Sequence, residues 1–162
     1  GVVEVIAYDV PVGLGTHVSA RERLDARLAG ALMSIQSVKG VEIGDGFAQA
    51  ALLGSAAHDE IVRGKDGHLT RTSNHAGGIE GGTSNGAPVV ARAGFKPIST
   101  GEEAVGLHQR SDTCQVVPGA VIAEAEVALV LADALFDHAG GRSVGEMRRN
   151  LAAYLEAVGE RA

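Results

Sequence analysis

The pattern of hydrophobic and polar positions predicts strands and helices in alternation along the first part of the chain. Residues 2–11 are rich in Val, Ile and Tyr, which predicts a strand. Ser19 and Glu22 form a capping-box pattern that predicts the start of an amphipathic helix over 20–37. Its apolar positions fall at helical spacing: Leu24, Leu28, Leu32 and Ile35. Residues 38–46 then predict a short strand closed by glycines.

The middle of the chain carries weaker periodic signals. Residues 48–72 hold many charges and few periodic positions, which predicts a loop. Residues 73–88 contain five glycines, and glycine is favoured where the backbone must turn left-handed or approach another group closely. Residues 88–97 alternate and predict a further strand, whereas 99–115 show no regular pattern.

Two helices are predicted towards the end of the chain. Pro118 opens the first, over 118–138, and the glycines at 140–141 end it. Its many apolar residues leave little polar face, so we expect it to be central and mostly buried. Ser143 and Glu146 form a second capping box. One apolar stripe follows on the last helix: Met147, Leu151, Tyr154, Leu155 and Val158.

The resulting order, β-α-β-loop-β-β-α-α, predicts a sandwich of sheet and helices. Parallel βαβ winding is disfavoured because the later strands are not each followed by a helix. The chain begins with a strand and without Met, so we expect further sequence upstream of residue 1.

Composition narrows the classes of function. The chain has 162 residues, of which 45% are apolar, which suits one domain with a real core. A net charge of −6 argues against nucleic acid or an anionic membrane as the main partner. No apolar run reaches the roughly 18–20 residues of a membrane span. The single cysteine, Cys114, excludes an internal disulfide and suits a reducing cytoplasm, and a lone thiol is more often a small buried hydrophobe than a nucleophile.

The glycine-rich stretch has two readings. It matches neither GxGxxG at a helix start nor GxxxxGK[ST], so the standard phosphate loops are excluded. It is either a chain of turns and bulges or a backbone laid against a flat ligand. The pair Asn85–Gly86 is also a good hairpin turn.

Two further segments carry polar groups with competing interpretations. Lys96, Ser99 and Thr100 could form a compact anion site or a strand end with a solvated lysine. Arg110 and Asp112 would share one face of an extended chain, as a salt bridge or as an anion-binding arginine beside a proton-accepting carboxylate. The six histidines show no metal-binding spacing, so a zinc site is not predicted.

Four segments in this order, followed by a long apolar helix with Glu124, resemble the chorismate synthase family. They are ALMSIQSVKGVEIGDGF (31–47), SNHAGGIEGGTSNGAP (73–88), FKPIST (95–100) and RSDTC (110–114). The resemblance extends over 1–162 and corresponds to the C-terminal part of a single family domain whose N-terminal half is absent here. The sequence looks most like the actinobacterial branch.

The resemblance implies an α+β fold: a β-α-β sandwich with antiparallel sheet packed on long buried helices, assembled as a tetramer. It implies a cytoplasmic lyase that converts 5-enolpyruvylshikimate 3-phosphate to chorismate and phosphate by anti-1,4-elimination. The family requires reduced FMN, and NADPH is a possible reductant in the full-length enzyme.

By position, the resemblance also assigns site residues. The implied cofactor-binding residues are Gln36, Ser37, Gly81, Lys96, Pro97, Ile98, Ser99, Thr100 and Arg110. Asp112 matches an aspartate near the reacting centre, with a supporting role in proton transfer, whereas His75 has no catalytic role to carry over. The segment between Thr100 and Arg110 is shorter than is usual in the family.

The family's catalytic histidines and most of its substrate-binding arginines belong to the absent half. We therefore expect the isolated chain to be inactive. The alternative is a non-enzymatic truncated module that folds and retains oligomer contacts. A different flavin or nucleotide oxidoreductase is disfavoured because it would lack the four ordered segments.

Overall fold

The structure, a computed structural model, describes residues 1–65, 67–98 and 114–159. It contains seven strands, four α-helices and one 3₁₀ helix within those ranges. The helices are α1 (Leu24–Ser34), α2 (Gly54–Ala57), α3 (Val116–Ala139) and α4 (Val144–Gly159), with the 3₁₀ helix at Gly46–Ala51. The strands are β1 (Val2–Ala7), β2 (Val38–Ile43), β3 (Ile61–Arg63), β4 (Leu69–Arg71), β5 (Ile79–Glu80), β6 (Thr83–Ser84) and β7 (Val89–Phe95).

The main sheet has three antiparallel strands in the order β1-β7-β2. The central strand β7 alternates strictly, with four buried side chains on one face: Val89, Ala91, Ala93 and Phe95. Helices α1 and α3 pack on that face and on each other. The predicted α+β class and the antiparallel arrangement are confirmed.

Helix α1 buries the predicted apolar stripe of Leu24, Leu28 and Leu32. The predicted capping box is wrong, because the amide of Glu22 donates to the carbonyl of Ser19 in a turn that precedes the helix. The amide of Leu24 instead donates to the carbonyl of Gly82 at 2.9 Å. A backbone carbonyl from a distant hairpin therefore replaces the side-chain cap.

Helix α3 ends at Gly140, whose φ of 59° favours glycine, as the sequence predicts. The expectation that α3 is mostly buried is wrong. Its inner face packs on β1 and α1, but a second apolar face is open to solvent. This outer stripe, between 58% and 71% exposed, consists of Val117, Val121, Leu129 and Phe136. The reason is that the described chain supplies a sheet on only one side of α3.

Helix α4 begins with the predicted capping box in a modified form. The hydroxyl of Ser143 accepts a bond from the amide of Glu146 at 3.3 Å. The Glu146 carboxylate accepts from the amide of Arg142 at 2.6 Å, one residue before the cap. The Tyr154 ring meets His138 edge-on, with ring centres 4.4 Å apart, so α4 docks on the end of α3.

The middle segments form small hairpins. The predicted loop over 48–72 contains the β3–β4 pair and α2. Gly81–Gly82, with φ of 60° and 90°, turn the β5–β6 hairpin. The predicted hairpin turn at Asn85–Gly86 is wrong, because this pair links β6 to β7, which are not paired with each other.

The structure also bears on the length of the first strand, the exposure of Cys114 and the presence of membrane-spanning helices. The first strand is shorter than the predicted 2–11, since Asp9 has a φ of 56° that interrupts extended backbone. Cys114 is exposed, which contradicts the prediction that its thiol is buried as a small apolar group. No helix in the described ranges is long and apolar enough to cross a membrane.

Candidate functional site

A cavity of about 570 Å³ lies where β7 ends and β2 begins. Its lining residues are Gln36, Ser37, Lys39, Lys96, Pro97, Ile98 and Gln115. Five of the residues assigned by resemblance therefore meet at one place, although they come from two segments about 60 positions apart. The amide of Lys96 donates to the carbonyl of Ser37 at 2.9 Å, and this bond holds the two segments together.

The backbone at Ser37 is strained. Its φ of 76° lies in the left-handed region, which costs roughly 1–2 kcal/mol for a residue other than glycine. The strain arises in the turn that leaves α1, where the amide of Val38 donates to the carbonyl of Ile35 at 3.1 Å. Such strain clusters at binding and catalytic sites, and here it falls on the wall of the cavity.

The described wall of the cavity is electropositive. Lys39 and Lys96 both line it, and no described lining residue is acidic. Helix α3 begins at Val116, directly after the lining residue Gln115, so the positive end of its dipole is adjacent. The amide side chains of Gln36 and Gln115 add hydrogen-bond donors. This combination favours an anionic group.

Gly81 does not lie at this cavity. Its hairpin contacts the start of α1 through the bond from Leu24 to Gly82, whereas Gln36 follows the end of that helix. The two ends of an 11-residue helix are about 16 Å apart. A Cβ added at Gly81 would meet no atom within 4 Å, so its φ of 60° explains the glycine here. A flavin contact at Gly81 stays a prediction.

Four other residues assigned by resemblance lie outside the described residues: Ser99, Thr100, Arg110 and Asp112. Within the described ranges, no group of three or more His, Cys, Asp and Glu side chains could hold a metal ion.

A buried carboxylate that sequence reasoning missed anchors the glycine-rich segment. Asp59 is only 8% exposed and accepts three hydrogen bonds. They come from the Ser73 hydroxyl at 2.6 Å, the His75 amide at 2.7 Å and the Ala76 amide at 2.9 Å. Burial opposes ionisation, but these donors outweigh it, so the pKa of Asp59 is lowered.

His75 adds a second link between the glycine-rich segment and the turn after β2. Its Nδ1 lies 2.5 Å from a carboxylate oxygen of Asp45, and this hydrogen bond raises the pKa of His75 against a smaller opposing effect of burial. The Asp45 amide donates back to the His75 carbonyl at 2.9 Å. Gly44 permits this approach, since a Cβ there would lie 2.2 Å from that carbonyl oxygen.

No periodic or motif signal marks Asp59, because it stands in the segment predicted as a loop. His75 lies within one of the four segments that resemble the family, but the family resemblance assigned no catalytic role to it. Asn74, its neighbour, locks the same segment by donating to the Pro88 carbonyl at 2.9 Å and accepting from the Gly78 amide at 2.8 Å. The network lies at the end of the sheet opposite the cavity.

Comparison with known proteins agrees with this architecture. The family model described as chorismate synthase matches residues 1–136. The chorismate synthase of Beutenbergia cavernae is 56% identical over 172 residues, covering 99% of this chain and 44% of the relative. That of Corynebacterium diphtheriae is 55% identical over 170 residues, covering 98% and 42%.

A solved structure, entitled "Crystal Structure of Chorismate Synthase", superposes with a TM-score of 0.83 at 42% identity. It covers 99% of this chain and 43% of that protein. The chain thus spans less than half the length of the relatives it matches. On fold and sequence together, the chain belongs to the chorismate synthase family.

Proposed function

We propose that this chain is the C-terminal part of a chorismate synthase and supplies one wall of its site for reduced FMN. The whole protein would be a cytoplasmic lyase that converts 5-enolpyruvylshikimate 3-phosphate to chorismate and phosphate by anti-1,4-elimination. One observation carries the proposal: Gln36, Ser37, Lys96, Pro97 and Ile98 surround a single cavity.

The chemistry of the cavity fits FMN, which combines a planar apolar ring with a phosphate monoester. A volume of about 570 Å³ is within the usual range of small-molecule sites, roughly 300–1,000 Å³. Two lysines and two glutamines suit the phosphate and the polar ring edge, whereas Pro97 and Ile98 offer apolar surface. Reduced flavin, when bound, would lend an electron to the substrate and recover it, without net redox change.

Each wall residue then has a role set by its chemistry. Lys96 provides a positive charge that stabilises an anionic ligand and negative charge that develops nearby. The Gln36 amide can donate and accept, so it would orient the polar edge of a ring. Pro97 and Ile98 would exclude water from that surface, which strengthens every charge interaction beside it.

The site is incomplete within this chain. Gly81 lies at the opposite end of α1 from the cavity, so a flavin that contacts both would have to extend along the helix. The family resemblance assigns the catalytic histidines and most substrate-binding arginines to the part of the longer protein outside this chain, so a complete site would need that part, in a homotetramer. We therefore propose that the isolated chain does not catalyse the elimination, and that NADPH would serve only as a reductant for the full-length enzyme.

A second function is favoured by the outer stripe of α3. Four large apolar side chains exposed along one helix face are unusual for a monomer and typical of an interface. The alternative is thus a non-enzymatic module that folds and retains assembly contacts. It predicts self-association without tight flavin binding.

The test is a titration of the chain with FMN in the presence of 5-enolpyruvylshikimate 3-phosphate, followed by flavin absorbance and fluorescence. We expect saturable binding that is lost in Lys96→Ala and kept in Lys65→Ala, a lysine beyond the cavity on the β3–β4 turn. Absence of saturable binding, with association seen by analytical ultracentrifugation, would favour the assembly module. Detectable elimination by the isolated chain would refute the predicted inactivity.

A further inference from the structure

Strand β2 contains a β-bulge at Lys39. Val38 lies opposite Phe95 and Gly40 lies opposite Gly94, so two steps along β2 match one step along β7. Lys39 is therefore the extra residue, with no partner of its own across the strand pair. The rest of β2 continues in regular antiparallel register to Ile43.

The bulge changes the direction of side chains at the start of β2. Val38 and Val41 both pack in the core with the helices although they are three positions apart, and a regular strand would place them on opposite faces. The inserted residue absorbs this difference and leaves Lys39 exposed. Bulges are common beside functional sites, where they redirect one side chain, and this one directs Lys39 to the cavity wall.

The surroundings of Lys39 suit a negatively charged ligand. Lys96 and Gln115 line the same cavity. Among the residues that the structure describes, no carboxylate pairs with Lys39. An ammonium group is a compact charge with three donors, which suits the tetrahedral oxygens of a phosphate monoester.

We propose that Lys39 is a binding residue for the phosphate monoester group of the ligand held in this cavity. The inference rests on the proposed function, but it adds a residue that the family resemblance did not assign. Both FMN and 5-enolpyruvylshikimate 3-phosphate carry such a group, so the experiment distinguishes the two sources.

The experiment compares FMN with riboflavin, which has the same ring and no phosphate, by flavin fluorescence. The variants are Lys39→Met, Lys39→Arg and the matched control Lys65→Met. For the FMN phosphate, we expect Lys39→Met to weaken FMN binding about tenfold, the effect of one charge-assisted hydrogen bond. Riboflavin binding should not change, Lys39→Arg should largely restore FMN binding, and Lys65→Met should match the unmodified chain.

The other outcomes are also decisive. If both flavins bind Lys39→Met normally but the substrate concentration that half-saturates the flavin absorbance change rises about tenfold, Lys39 holds the substrate phosphate. Equal weakening of FMN and riboflavin would mean that Lys39 acts through the fold, which overturns the proposal. So would unchanged binding of both flavins and of the substrate.

A measurement without flavin separates this inference from the proposed function. If the unmodified chain binds neither flavin, the proposal that this cavity forms one wall of a flavin site is wrong, and inorganic phosphate then serves as the probe. We expect saturable phosphate-dependent shifts of the Ser37, Lys39 and Lys96 amide resonances, abolished in Lys39→Met and kept in Lys65→Met. Absence of these shifts in the unmodified chain would overturn the inference.

Discussion

Replacement of Asp59 by Asn should strongly destabilise the fold. The Asp59 Oδ1 accepts from the Ser73 hydroxyl and the His75 amide, and Oδ2 accepts from the Ala76 amide. If the Asn oxygen keeps the first two bonds, its NH₂ group faces the Ala76 N–H and that buried donor loses its acceptor. An unsatisfied buried donor costs about 1–3 kcal/mol, and the two remaining bonds lose their charge assistance. We expect a total loss of about 2–4 kcal/mol in the free energy of unfolding.

Urea unfolding followed by circular dichroism measures this loss, because the chain has no tryptophan for fluorescence. With an m-value of about 2 kcal/mol per molar urea, the midpoint should fall by roughly 1–2 M. The matched control is Asp133→Asn, whose ion-paired side chain is 68% exposed and should contribute less than about 1 kcal/mol. A loss below about 1 kcal/mol for Asp59→Asn would refute the reasoning.

The pH dependence gives an independent check on Asp59. Its pKa is lowered in the folded state, so its ionised form stabilises the protein above the ordinary pKa of an aspartate. That contribution is lost as the pH falls through the folded-state pKa. The stability difference between the unmodified chain and Asp59→Asn should therefore be constant near neutral pH and shrink in acid. A difference that grows on acidification would contradict the assigned direction.

Three further predictions follow from the backbone and from His75. Ser37→Gly should stabilise the fold by about 0.5–1 kcal/mol, because the relief of left-handed strain exceeds the cost of added chain flexibility, and it should weaken FMN binding. The control Asp9→Gly, at a φ of 56°, should stabilise the fold without changing FMN binding. A Ser37→Gly variant that is less stable than the unmodified chain would refute this prediction. Because the pKa of His75 is raised in the folded state, its contribution to the free energy of unfolding is complete below its ordinary pKa and is lost as the pH rises through the folded-state pKa. The urea midpoint of the unmodified chain should therefore fall over that pH range, and His75→Gln should remove this fall. An unchanged pH profile in His75→Gln would contradict the prediction. Gly44→Ala should cost about 2–4 kcal/mol, because its Cβ would strike a carbonyl oxygen. Gly81→Ala, with φ of 60° and open space, should cost only about 1 kcal/mol, and equal losses would contradict the steric argument.

Local signals in the sequence predicted the three long helices but not the short α2. The end of α3 followed from Gly140, and the start of α4 followed from Ser143 and Glu146, since each depends on residues close in sequence. The capping box at Ser19 failed because the carbonyl of Gly82, more than 60 positions away, takes its place. Burial of α3 was overestimated because apolar composition does not reveal which covering layer the chain contains.

The candidate site likewise contains some residues that the sequence predicted and others that it could not predict. The motif containing Gln36 and the one containing Lys96 were each visible in the sequence, and the structure places both at one cavity. The bulge at Lys39 was not visible, because it depends on the register between β2 and a strand about 50 residues later. Asp59 was missed because two of its three partners are backbone amides, which have no sequence signature, and the third, the Ser73 hydroxyl, is 14 positions away.

The strand order β1-β7-β2 also affects how the chain folds during synthesis. Val2 pairs with Gly94 and Ala7 pairs with Val89, so β1 cannot pair in the sheet until β7 has been synthesised. At about 5–20 residues per second, a ribosome needs roughly 4–16 s to make the intervening segment. During that time the apolar sides of β1 and α1 have no central strand to cover them and are open to chaperones. A nascent chain that stalls before Val89 holds both edge strands and cannot form the sheet.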